Sequence, residues 1–319
     1  MRYGRNWREL TDRFFHVRNI LAENRMTNTE LEGIRKWFED HVQTYASPTG
    51  TFPPLLQLKV EHSERVARDS RSLAGEMEWI SADVNVAEAV GWLHDVGRFS
   101  QFAEFGTFSD RHSVDHGHRG WEVLKESNVL AALDGRDKDA ILTSVRYHNA
   151  RTIPEHVGSR AKSYASGGRI CPGGKLPDAS RPPVGRTRGG QSHPRPVYLA
   201  LIRDADKLDI FRIVHDAVER DGFQELADML PQVQLDAPIS PVLLEELERR
   251  RCGSLEHVGS RSDYLLMQLS WVYDINYSST FRRIVQRGIV RGIARELPLE
   301  DSRVRGIVQA AERYVDEQT

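Results

Sequence analysis

The chain has 319 residues, 39% hydrophobic and 28% charged, with a mean hydropathy of −0.52. That balance excludes wholesale disorder, and no apolar run approaches the roughly 18 residues that a membrane-spanning helix needs. With 44 basic against 46 acidic residues the net charge is −2, so the chain as a whole has no electrostatic pull toward nucleic acid or anionic lipid. Cys171 and Cys252 lie far apart and form neither a disulfide framework nor a zinc-finger spacing. The opening MRYGRNWRELTDRFFHV has no continuous apolar stretch and carries acids, so no targeting peptide is expected, and a reducing cytoplasm is the expected location.

Apolar residues recur at three and four along most of the chain, which predicts an all-α protein with few or no strands. Thr27 followed by Glu30 has capping-box spacing, and Leu31, Ile34, Phe38 and Val42 then mark one face of a first helix. SPTGTFPP, residues 47–54, breaks it. Further helices are expected at 55–77, 83–95, 117–127, 136–148, 196–220, 240–251, 261–273, 278–295 and 299–316. Gly97 is expected to end the helix through the WLHDV segment. Phe99, Phe102, Phe105 and Phe108 recur at three and read as packing in a loop or helical turn. Residues 158–196 are different: they hold eight of the 24 glycines and six of the 14 prolines, and eight Arg or Lys against one Asp. They read as a loop insertion, either solvated or a basic flap near an anionic substrate.

Several histidines sit where a bland core residue would be expected. His62 is in helical register with Val66, Ser70, Leu73 and Met77. His94 and Asp95 follow the face of Val86, Val90 and Leu93, and His148 follows Ile141 and Val145. Asp206 comes four residues after Ile202, placing a carboxylate at an inward position where an unpaired charge is costly. One inward histidine is ordinarily a hydrogen-bonded core residue. Several of them with two aspartates are not satisfied cheaply by local bonds, and a divalent metal supplies what they lack. Imidazole with carboxylate suits Mn, Fe, Co, Ni or Zn, and the absence of cysteine ligands argues against a structural zinc site.

The ordered set of His62, the doublet His94-Asp95 in WLHDVGRF, and Asp206 in RDADKLDIF resembles the HD-domain metal-dependent phosphohydrolase superfamily, over residues 55 to about 215. The resemblance implies an HD-domain helical bundle at 55–220, a helical extension at 1–54 and another at 221–319. Dinuclear members carry two more histidines between the doublet and the final Asp. His116 has the matching offset to Gly120 and an apolar pair, with His118 as competitor, and His148 aligns with the fourth ligand. Asn149 stands where the HD-GYP relatives have a second histidine, and no GYP motif follows, which speaks against a cyclic-di-GMP phosphodiesterase. The implied ligand set is His62, His94, Asp95, His116, His148 and Asp206, with Asp95 bridging two divalent ions.

The function this implies is hydrolysis of a phosphoester bond, in a nucleotide or other small phosphorylated metabolite, by a metal-bridging hydroxide. Arg98, at a position where relatives carry a basic residue, is expected to grip the phosphate with a bidentate fork. Arg146, Arg151 and Lys207 flank ligands as candidate substrate contacts, and Asp115 and Asp204 as residues that orient imidazoles. Two rival readings stay open: a mixed-valent di-iron oxygenase on the same ligands, and a nucleotide-sensing or nucleic-acid-binding module using the basic insertion. Neither a membrane nor nucleic acid is an expected partner of the whole chain. The C-terminal helices read as closing the bundle or forming a homo-oligomer face.

Overall fold

The computed structural model describes residues 25–150, 157, 196–221, 233–249 and 253–319. The glycine-rich insertion, apart from its last residue, and Arg151 lie outside them. Helix α1 spans Asn28–Gln43, and the capping box is present, with Thr27 accepting from the Glu30 amide and Glu30 reaching back to Thr27. After a turn, Pro53-Pro54 opens α2, Pro54–Glu76, where proline at the first position loses no hydrogen bond. Helix α3, Ser81–Leu93, is buried on nearly every side because α1, α2, α6 (Gly135–Tyr147) and α7 (Pro196–Asp221) surround it. An all-round apolar helix is what a central position requires.

The doublet His94-Asp95 sits in the turn that leaves α3. Gly97 does not end that helix but starts another, α4, Gly97–Phe105, in the stretch expected to be a loop or helical turn. The glycine is required there by close approach. A Cβ on Gly97 would stand 2.3 Å from the carbonyl oxygen of His116 and 2.5 Å from the amide of Gly120. Both belong to α5, His116–Glu126, which pairs with α6. A Cβ on Gly91 would likewise meet Cα of Ala67 at 2.4 Å, so α2 and α3 touch backbone to backbone where His62 and His94 face each other.

The C-terminal helices are α8, Pro241–Glu248, α9, Arg261–Ser270, α10, Ser278–Gln286, α11, Ile289–Arg295, and α12, Ser302–Asp316. The single helix expected over 278–295 is broken at Gly288, which adopts φ +62°. The run through 273 turns 3-10 at Trp271–Asp274. No strand occurs among the described residues, where pairing is limited to an isolated bridge between Gln234 and Ser260. No described helix is long and apolar enough to cross a membrane.

Asp204, buried in α7, fastens the C-terminal region. Its carboxylate accepts from the backbone amides of Asn276 and Tyr277 and from the Asn276 side chain, at 2.8 to 3.1 Å. Arg203 donates to the carbonyl oxygens of His148 and Ala150 at the end of α6 and to Asp274.

Two glycine substitutions are expected to act in opposite directions. Gly97→Ala should lower unfolding free energy by about 2 kcal/mol or more, because backbone must move to admit the methyl group. Gly33→Ala, in α1 with nothing within 4 Å of the new Cβ, should raise it by about 0.4–1 kcal/mol. Denaturant unfolding followed by circular dichroism checks both.

Candidate metal centre

Five elements deliver the six acid and imidazole side chains to one place. His62 comes from the middle of α2, His94 and Asp95 from the turn after α3, His116 from the first position of α5, His148 from the cap of α6, and Asp206 from α7. All four imidazoles and Asp95 are buried at 4% exposure or less, while the Asp206 side chain is 21% exposed and marks the open side.

The donors fall into two sets. In the first, His62 Nε2 lies 3.2 Å from His94 Nε2 and 3.1 Å from Asp206 Oδ1. Asp95 Oδ2 completes it at 3.6 Å from His62 Nε2 and 3.7 Å from His94 Nε2. In the second, His116 Nε2 and His148 Nε2 are 3.1 Å apart, and Asp95 Oδ1 lies 3.4 and 3.5 Å from them. The two oxygens of one carboxylate are thus divided between two pairs of imidazoles. Donor atoms of His94, Asp95 and His148 also lie within 4.8 Å of one another, so His94 stands between the sets.

These separations suit a shared cation. Ligands about 2.0–2.2 Å from one ion stand about 3.0–3.5 Å from each other. The tautomers suit it too. His94 Nδ1 donates to the Gly91 carbonyl and His148 Nδ1 to the Val145 carbonyl, both at 2.8 Å. His62 Nδ1 donates to Asp209 at 2.7 Å and His116 Nδ1 to Asp110 at 2.6 Å. With the proton fixed on Nδ1, the Nε2 atoms of His94, His116 and His148 turn a lone pair inward, as a metal ligand requires, and His62 does so once its Nε2 proton is lost.

Burial pushes His94 down to about 3, and burial with the neighbouring Arg98 guanidinium pushes His116 down to about 4. Burial and the Lys59 ammonium push His62 down as well, but hydrogen bonds to Asp206 and Asp209 outweigh them and leave it above the ordinary imidazole value. Burial alone would raise Asp95, yet Lys59, His94, His148 and Arg98 hold it well below the usual carboxylate range.

The sequence expectations fare unequally. His118 is 46% exposed, pairs with Glu122 and stacks on Trp121, so His116 is the histidine that joins the cluster. Arg98 is at the centre, its Nε 3.5 Å from Asp95 Oδ1, but its Nη1 is committed to Gln101, the Phe108 carbonyl and Asp110. The open bidentate fork expected of it is therefore not what the geometry offers. Arg146 lies over the Trp121 ring at 4.6 Å, and Lys207 pairs with Asp274 at 2.8 Å, so both expected substrate contacts are engaged elsewhere. Asp115 caps α5 by accepting from the His118 amide, and Asp204 holds the C-terminal segment, so neither orients an imidazole.

The orienting carboxylates are Asp110 and Asp209 instead. Asp209 has a signal in the sequence, since it follows Asp206 by three and shares its helix face. It is held in turn by Arg65 at 2.7 Å and Arg212 at 3.1 Å. Asp110 comes from a short 3-10 turn, Asp110–His112, and no periodicity points to it. Lys59, one helical turn before His62, donates to Asp95 Oδ2 at 2.7 Å.

Nitrogen-detected NMR of the protein stripped of metal is expected to show the Nδ1–H tautomer for His94, His116 and His148. It should also show His116 and His94 gaining a second proton only near pH 4 and pH 3. Titration of either near pH 6.5 would contradict this burial.

Residues 60–210 match the family model of the HD domain, a span that takes in all six clustered side chains and Asp209. Comparison with curated proteins and with solved structures found no match. Fold, the ordered histidines and aspartates, and the family match agree: residues 60–210 carry an HD domain.

Proposed function

We propose that the six clustered side chains hold two divalent cations and that the protein hydrolyses a phosphoester bond in a small phosphorylated metabolite, a nucleotide being the first class to try. The observation that carries this reading is the division of the Asp95 oxygens, Oδ2 toward His62 and His94, Oδ1 toward His116 and His148. A lone structural ion has no use for a second imidazole pair on the far oxygen. The donor set of nitrogen and oxygen without sulfur fits Mn, Fe, Co, Ni or Zn.

Such ions, when bound, polarise phosphoryl oxygens and make a water nucleophilic near neutral pH. The residues of the chain supply the rest. Asp209 and Asp110 hold His62 and His116 in register through Nδ1, and the Gly91 and Val145 carbonyls do the same for His94 and His148. Arg98 anchors Asp110 and keeps positive charge beside Asp95 Oδ1. The open side passes Asp206, Lys59 and Asp110, so an anionic group enters past a cation. The domain limits, 55–220 for the catalytic unit with helical extensions on both sides, follow the same reading.

Asp95→Ala is expected to lower metal-dependent phosphate release by about 10³-fold or more while the far-ultraviolet circular dichroism stays that of the native protein. His116→Ala should remove one equivalent of bound metal, and His118→Ala should remove none. Release of phosphate from generic esters, with elemental analysis, checks all three. Turnover that consumes dioxygen on bound iron, with no phosphate released, would sink the hydrolase reading.

Metal binding at the first set must also expel the His62 proton. Because His62 is held above the ordinary imidazole value, the proton competes below that pKa and not above it. Affinity there should rise about tenfold per pH unit up to that value and then level off. Binding at His116 and His148 is not subject to a His116 proton between pH 6 and 8, since His116 is already neutral. Calorimetric titration in buffers of different ionisation enthalpy counts the protons released.

A further inference from the structure

Lys59 was absent from every sequence expectation, yet its ammonium occupies the centre. Nζ is 2.7 Å from Asp95 Oδ2, and the side chain is 16% exposed. Nζ lies 5.8 Å from the centroid of the Phe108 ring, an aromatic that packs on Phe102 at the same edge of the site. Oδ2 is the oxygen that faces His62 and His94, so it is the one that an ion held by His62, His94 and Asp206 must take. A divalent ion and an ammonium both within about 3 Å of one oxygen repel each other strongly, which favours the departure of the less firmly held cation. Arg98 is tied at Nη1 by three acceptors and is not free to go. Lys59 donates to Asp95 alone among the described residues, is partly exposed, and has a flexible four-carbon stem.

We propose that Lys59 is an exchangeable counter-cation of the metal centre: it neutralises Asp95 before the first ion binds, gives up Oδ2 to that ion, and then places its ammonium on the phosphoryl group of the ligand. This rests on the two-metal reading above. It makes metal loading and phosphate recognition two positions of one side chain, and it explains a half-buried cation lying among residues suited to receive cations.

The test is calorimetric titration of Mn²⁺ into the metal-stripped wild type, Lys59→Met and Lys59→Gln, followed by inorganic phosphate into each Mn²⁺-loaded protein. Both substitutions keep much of the stem and remove the charge. The expected result is first-site Mn²⁺ affinity raised at least about tenfold, and phosphate affinity lowered about tenfold, in both variants. Unchanged or weakened Mn²⁺ binding overturns the proposal, as does unchanged phosphate binding in variants that bind Mn²⁺ more tightly. Failure of the two-metal reading looks different, since it appears as no Mn²⁺ uptake by wild type or variants.

Discussion

Like partial charges crowded into one buried place govern this molecule. Four imidazole Nε2 atoms and two carboxylates meet within a few ångströms, most of them out of water. In a medium of low dielectric that arrangement is strongly repulsive unless positive charge sits among the donors. That charge comes from Lys59 against Asp95 Oδ2 and Arg98 beside Oδ1, and the hydrogen bonds of His62 to Asp206 and Asp209 favour its protonated form. Each of these is a stand-in for a cation, and each predicts something about what happens when a cation arrives.

The fold exists to bring these groups together against that repulsion. Backbones approach within contact at Gly91 against Ala67 and at Gly97 against His116 and Gly120, the first three residues before His94 and the second at His116 itself. A side chain at either glycine would hold the helices apart by more than the donor set can span. Apolar burial around α3 provides the driving force, since that helix is enclosed by four others. The ligands are then oriented in two ways. One imidazole of each set is fixed by a helical carbonyl three residues back, and the other by a carboxylate from outside its own helix.

The C-terminal helices are joined to this centre through α7 and the end of α6. Asp204 receives the backbone at Asn276 and Tyr277, and Arg203 links Asp274 to the carbonyl of His148 itself. The end of α6 is therefore held by a guanidinium whose counter-charge comes from the C-terminal region. Removing that region would leave a cation over the carbonyls of a ligand-bearing helix end without its partner.

How much was legible before folding divides along a physical line. Helical faces are local, because a period of 3.6 is written in neighbouring residues, and so α1, α2 and α3 and the inward direction of His62, His94, His148 and Asp206 could be read from spacing. The preference for His116 over His118 followed from the offset to Gly120, which marks the same close approach that seats it. Helix α4 and the break at Gly288 were not legible, since glycine is locally a poor helix residue and only contact with α5 shows why one must begin α4. Asp110 and Lys59 belong to the centre through pairings across 6 and 36 residues, and the true tasks of Asp204, Lys207 and Arg146 were set by whichever partner lay nearest in space. The chain alone determined which chemical groups point inward; the tertiary structure decided which of them meet, because hydrogen bonds and ion pairs depend on distances that no linear spacing contains.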